Sequence, residues 1–309
     1  MKDIDIFFKE KPLKMICLGF SSGLPILLVF STLSVWLIQA GINRSTVTLF
    51  SWAGFAYAFK YLWSPLVDNY KLPFLKKLGH RKSWLLTSQI LIIIALVLTA
   101  FTDPQNNLFF TALFISLLAF FSATQDILVD AFRIESAPQS LQGPMSSMYI
   151  AGYRIAMLVA GAGSLWLAAL FGTEIYNQEV WKKVYLAMSS FMFIGIFATI
   201  SSNEPKIKRN LKTKNHLQFL FAIFFSVVGF IFLYSIIDNP FDKKDIFLTF
   251  LFSIIRLIIC FIFAFLIFKF LILIKFTSEE KISKSYLGPI INFVKRYGKL
   301  AEPFWLDPF

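Results

Sequence analysis

Apolar residues run along this chain in blocks that are long and nearly uniform. A helix needs about 20 apolar residues to cross the hydrocarbon core of a bilayer. Blocks of that kind fall near 15–39, 47–67, 84–102, 108–131, 147–171, 183–201, 217–237 and 246–274. Their length, with Pro and Gly inside several of them, excludes the alternating pattern of a barrel, so helices are predicted. The polar positions between the blocks are strongly basic. With the N-terminus inside, 21 Lys and Arg residues fall in cytoplasmic segments and 5 in external loops. The remaining 4, Lys60, Arg154, Arg256 and Lys269, lie within spans. That asymmetry fixes the orientation, and eight spans return both termini to the cytoplasm.

Composition agrees with the pattern. Only 16% of the 309 residues are charged, 57% are hydrophobic, and the mean hydropathy is +0.68, whereas soluble domains carry about 25% charged residues. The net charge of +12 does not indicate a nucleic-acid surface, because the positive residues sit in loops between apolar runs. Cys17 and Cys260 lie inside apolar segments, and His80 and His216 lie in polar loops. Neither a disulfide framework nor a metal site is indicated, and no cofactor is expected. Lys9, Lys11 and Lys14 precede an apolar run that continues for about 25 residues without a small-residue cleavage site, which reads as an uncleaved first span.

A basic linker at 204–216 divides the chain. It follows six spans within 1–203 that contain Gly and Ser, and precedes a Phe- and Ile-rich helix pair at 217–275. The eighth span carries Arg256 near its middle and is long enough to tilt or to begin at the interface. A mixed tail, 276–309, follows. The fold expected is all-α and integral to the membrane, six helices plus two additional ones.

Ionisable residues at membrane depth are the default functional candidates. Asp126 and Asp130, four apart in the fourth span, share a helical face. Asp130, near the interface, can equally bond Arg133. In the fifth span, Arg154 follows Tyr153 at a depth of roughly 10 Å by the helical rise, and Asp126 lies at a similar depth on a span running the other way. That match predicts an Asp126–Arg154 pair, either a structural clamp or part of a polar cavity with Gln125. Lys60, about two turns into the second span, is placed to snorkel outward. Gly152, Ala156, Ala160, Ser164 and Ala168 recur every four residues, a small-residue stripe that lets helices pack closely. Gly19, Ser21, Ser22, Gly23 and Pro25 in the first span predict a local break or close packing. No His-Glu-x-x-His, Gly-x-Ser-x-Gly or Gly-x-x-x-x-Gly-Lys motif is present, so an enzyme is not indicated.

The loop between the second and third spans reads Lys60-Tyr61-Leu62-Trp63-Ser64-Pro65-Leu66-Val67-Asp68 and then Gly79-His80-Arg81-Lys82. It resembles the signature loop of the major facilitator transporters, with Ser64 where that pattern has glycine and a longer spacer. Together with Gly19-Phe20-Ser21-Ser22-Gly23-Leu24-Pro25, Ser122-Ala123-Thr124-Gln125-Asp126-Ile127 and Gly152-Tyr153-Arg154, it resembles the AmpG family over roughly residues 13–205. The resemblance implies a permease of the bacterial inner membrane that imports anhydro-muropeptides with protons by alternating access. It implies a first, second, fourth and fifth helix lining the cavity, and Asp68, Gly79, Arg81 and Lys82 acting as a cytoplasmic gate. The chain then corresponds to the N-terminal half of such a permease, with 288–298 as the approach to a second half. The alternatives are a non-transporting membrane subunit or remnant that needs a partner carrying the other half, and, more distantly, a membrane enzyme. Partners expected are lipid, a muropeptide-like small molecule, protons and a separate C-terminal half.

Overall fold

A computed structural model describes residues 5–70, 72, 75, 78–172, 176–205, 214–238, 240 and 246–274. Among them there are helices, turns and bends but no strand. Most of the basic linker and the whole 276–309 tail, with the approach segment expected at 288–298, lie outside the described residues.

The first span is α1 (Glu10–Val29) and α2 (Ser31–Gln39). Pro25 stays inside α1 and removes one backbone donor. The predicted break falls later, at Phe30 (φ −110°, ψ −86°). The second span is not the continuous helix that 47–67 predicts. It is α3 (Arg44–Leu49), a 3₁₀ turn (Phe50–Ala53), α4 (Gly54–Ala58), a second 3₁₀ turn (Lys60–Leu62) and α5 (Ser64–Asn69). Pro65 in the first turn of α5 suits a helix start, where its missing N–H is not needed. The third and fourth spans are α6 (His80–Ala100) and α7 (Leu108–Ser136). The fifth is α8 (Gln139–Leu158), a π-turn (Val159–Gly163) and α9 (Ser164–Phe171). The sixth is α10 (Gln178–Phe191) and α11 (Phe193–Ser201). Two further helices follow, α12 (Lys214–Ile236) and α13 (Ile246–Leu273).

Among the described residues, six helical segments are long and apolar enough to cross a membrane: Glu10–Gln39, His80–Ala100, Leu108–Ser136, Gln139–Phe171, Gln178–Ser201 and Phe247–Leu273. The chain divides into two compact units, Met1–Val67 with Lys71–Arg209, and Asp68–Tyr70 with Asn210–Phe309.

In the first unit α1 and α8 approach most closely, because both present glycine where they cross. A Cβ on Gly19 or Gly23 would collide with the carbonyls of Tyr149 and Tyr153, and one on Gly152 with that of Ile16. The contact continues through the buried Ala156, Ala160, Ser164 and Ala168. Thr32 donates to the Ala160 carbonyl at 2.8 Å and meets Ser164 at 3.2 Å. These are the short side chains that let two backbones touch in lipid.

The helix ends in this unit are closed by side chains, as buried orphan amides and carbonyls require. At the end away from the basic loop, buried Trp36 stacks on Trp181 (5.8 Å, 16°), Trp181 donates to Gln39, and Tyr185 donates to the Leu28 carbonyl at 2.8 Å. In the loop before α10, Tyr176 donates to Asp103 at 2.6 Å. Burial, followed by that hydrogen bond, pushes its phenol above the usual range, so it stays a donor. At the basic end, Lys11 caps the Ser136 carbonyl (2.6 Å), Lys14 the Ser201 carbonyl (2.5 Å) and Lys82 the Ile200 carbonyl (2.9 Å).

In the second unit, α12 and α13 form a hairpin. Arg256, expected near the middle of a tilted span, donates to the Tyr234 carbonyl, and its guanidinium lies 3.7 Å above the Tyr234 ring. Tyr234 is within the last turn of α12, where carbonyls lack helical partners. The arginine therefore caps one helix of the hairpin from the other. Phe230 packs beside it on both Tyr234 (6.2 Å) and Phe261 (5.0 Å).

Candidate polar site of the first unit

Polar side chains from four spans meet inside the first unit. Asp126 of α7 is buried, 7% exposed. Its Oδ2 lies 3.6 Å from Nζ of Lys60, whose side chain is 35% exposed. Next to it, Gln125 donates to Ser21 (2.9 Å) and Ser22 (3.2 Å) of α1. Ser22, Tyr149, Tyr153, Tyr57 and Asp130 all lie near enough to Asp126 to interact with it electrostatically. Trp63 closes one side, its ring tilted 38° against Phe120 at 4.8 Å and its indole N–H donating to Thr124 at 3.1 Å.

The pairing differs from the one that depth alone predicts. Lys60, not Arg154, meets Asp126. Arg154 is exposed and its guanidinium contacts the Met157 sulfur at 3.7 Å; among the described residues no carboxylate lies within ion-pair distance of it. Helix geometry supplies the reason. Gly152 and Ala156 face α1, and at about 100° per residue Arg154 is turned to the opposite side of α8. Equal depth does not bring two side chains together when their helical faces diverge. Lys60 reaches inward because the 3₁₀ turn at Lys60–Leu62 rewinds the second span just there.

The other expected residues are placed as follows. Asp130 is half-exposed and pairs with Arg133 one turn on, at 3.6 Å. Tyr153 is half-buried beside Tyr149, ring centroids 5.9 Å apart. Asp68 is half-buried in the last turn of α5. Gly79, at φ +95°, precedes α6, and a Cβ there would strike the Glu204 side chain.

Two residues of this basic end carried no signal in the sequence. The two oxygens of Glu204 accept from the backbone amides of Arg81 (2.8 Å) and Lys82 (3.0 Å), an anion on the N-terminus of a long helix. Glu135 takes the Arg81 guanidinium in a two-pronged pair, 3.0 and 2.7 Å, with the Arg81 side chain only 4% exposed. The carboxylates that bind a loop follow from chain topology, and a linear pattern does not show them. Glu10, Lys11, Lys14, Glu135 and Glu204 border a cavity of about 500 Å³ at this end. No group of three or more His, Cys, Asp or Glu among the described residues could hold a metal ion.

Long apolar helices enclosing charged and amide groups mark a polytopic membrane protein. Residues 15–293 match the family model described as Major Facilitator Superfamily, and the chain belongs to that superfamily. Its relatives are of AmpG type. It is 37% identical over 209 residues to a Rickettsia conorii protein named as transporter AmpG 4, covering 68% of this chain and 49% of that one. It is 37% identical over 200 residues to the anhydromuropeptide permease of Escherichia coli K12, covering 65% of this chain and 39% of the permease. With a Rickettsia prowazekii protein named as transporter AmpG 3 it shares 36% over 225 residues, 70% and 51% respectively. The chain thus spans about half, or less, of the length of these curated relatives.

Proposed function

We propose that this chain is the N-terminal half of an inner-membrane permease that brings anhydro-muropeptides into the bacterial cytoplasm by proton-coupled alternating access. Transport then requires a second six-span half, on the same or a separate polypeptide. In this reading the basic end is cytoplasmic, and α12 and α13 cross the membrane as an additional pair. The observation that supports the coupling role is the Asp126–Lys60 pair: a buried carboxylate 3.6 Å from the ammonium of a lysine whose side chain is 35% exposed. A carboxylate at membrane depth is costly unless paired, so departure of Lys60 toward the cavity favours uptake of a proton by Asp126. Arg154, exposed and without a carboxylate partner among the described residues, is free to hold a carboxylate of the substrate. Tyr153 and Gln125 flank the two. The basic loop, tied down by Glu135 and Glu204, is the cytoplasmic gate element.

Uptake of radiolabelled anhydro-muropeptide by bacteria lacking their own permease tests this, with the chain expressed alone and with a C-terminal half from an AmpG relative. Accumulation with the second half and none without it is expected. No uptake in either case, with both proteins present in the membrane, contradicts the permease reading and favours a non-transporting subunit.

A further inference from the structure

Four oxygen atoms at the polar site are buried without a hydrogen-bond partner: Tyr57 Oη, Ser122 Oγ, Gln125 Oε1 and Asp126 Oδ1. Ser122, Gln125 and Asp126 are themselves buried residues, at 0%, 0% and 7% exposure. They lie within an arc of about 100° on α7, since residues three and four apart share a helical face. Tyr57 of α4 comes to the same place, close enough to interact with both Ser122 and Asp126. Buried polar atoms are nearly always satisfied, so four on one patch need a common explanation.

Their chemistry specifies it. Carboxylate Oδ1 and amide Oε1 only accept, whereas the tyrosine and serine hydroxyls can donate. Two acceptors and two donors are the complement of a single tetrahedral water, and buried waters make two to four such bonds. A cation would satisfy the acceptors but leave a hydroxyl hydrogen without an acceptor, even with Tyr57 donating to Ser122. We infer that Asp126 Oδ1, Gln125 Oε1, Ser122 and Tyr57 bind one ordered water, and that Tyr57 and Ser122 are positioning residues for protonation of Asp126.

This rests on the reading of Asp126 as the coupling carboxylate. The two oxygens of that group then have different roles, Oδ2 holding Lys60 while Oδ1 receives the proton. A proton arriving at the site as hydronium passes to Oδ1, leaving a neutral water and a neutral acid; the reverse transfer restores the carboxylate and hydronium. Lys60, Tyr57, Tyr149, Tyr153 and Asp130 are the other titratable groups around Asp126. Of these Lys60, beside Oδ2, has a partly open side chain.

Hydroxyl-radical footprinting by pulsed X-rays tests the water directly, because radicals formed from bound water label the side chains that hold it. The chain is used whole, in detergent or nanodiscs, so the result does not depend on transport. Tyr185 is the internal reference, since its buried hydroxyl is already satisfied by the Leu28 carbonyl. Tyr57, which is partly exposed, is expected to be labelled faster than the fully buried Tyr185, and the share that bound water supplies is the share that filling the Ser122 space removes. Ser122→Val, which removes the hydroxyl and fills its space, is expected to bring Tyr57 down toward Tyr185. Equal labelling of the two tyrosines in the unaltered chain overturns the inference, as does Tyr57 labelling that Ser122→Val leaves unchanged. A labelled Tyr57 in a permease whose proton-driven accumulation survives Asp126→Asn would retain the water and refute the coupling role instead.

Discussion

At the scale of single residues, the site turns on which cation meets Asp126. Position along the spans identified Asp126, Lys60, Arg154 and Gln125 as charged or amide groups inside apolar blocks, because burying such groups is costly enough to require a reason. It did not give the pairing, since depth is a one-dimensional coordinate and contact also depends on helical face. A double-mutant cycle on thermal stability separates the two possibilities. Lys60→Met and Asp126→Asn are expected to be coupled by about 0.5–3 kcal/mol, as contacting charges usually are. Arg154→Met and Asp126→Asn should add to within about 0.3–0.5 kcal/mol, as non-contacting residues do. Coupling through Arg154 and additivity through Lys60 would reverse the assignment. Ser122 was legible only in part, since it sits four residues before Asp126 but a serine in a span is common and carries no signal alone; Tyr57 was not legible at all.

At the scale of elements, the small residues of α1 and α8 have a definite job. Gly19, Gly23 and Gly152 lie where the two backbones touch, so any side chain there pushes the helices apart. Gly152→Leu is expected to destabilise the first unit by about 1–3 kcal/mol, the usual cost of overpacking. Gly143, with open space where a Cβ would go, should accept alanine with little change. Melting curves of the two variants in the same detergent decide the point, and similar losses at both would contradict it. The stripe was readable because a four-residue period of small side chains is a linear pattern. The break of the second span into five short pieces was not, because nothing local except Gly54 and Ser64-Pro65 distinguishes 47–67 from a continuous helix. In the second unit Arg256 takes its place from α12: Arg256→Leu removes the cap on the Tyr234 carbonyl. Loss of protease protection of the hairpin is the expected result, with Arg256→Lys, which keeps a donor, intermediate between the two.

At the scale of the whole molecule, the apolar blocks determined most of the architecture, because a bilayer allows few ways to satisfy a backbone. Long apolar helices appear close to where the hydropathy puts them, with ends shifted by a few residues where polar side chains extend a helix past the apolar core, as at His80–Ala100 and Leu108–Ser136. The ties at the basic end were not legible, because Arg81–Glu135 and Glu204 on the α6 amides join residues more than 50 positions apart. Those ties bind the signature loop to the ends of the fourth and sixth spans. Glu204→Gln is expected to speed amide hydrogen exchange at Arg81 and Lys82 while leaving exchange in the middle of α6 unchanged; unaltered exchange at both amides would show that the carboxylate does not secure the helix start.

The central claim is that Asp126 couples proton entry to solute movement, and it is tested most directly by comparing two transport modes in one preparation. The chain is assembled with a C-terminal half of an AmpG relative in proteoliposomes. Labelled anhydro-muropeptide uptake is then measured under an imposed pH gradient, and as exchange with no gradient. Asp126→Asn cannot cycle a proton yet keeps the shape of the side chain, so it should abolish accumulation under the gradient and leave exchange near the unaltered rate. Equal loss of both modes would make the Asp126–Lys60 pair a structural clamp, and undiminished accumulation would place proton coupling elsewhere in the molecule.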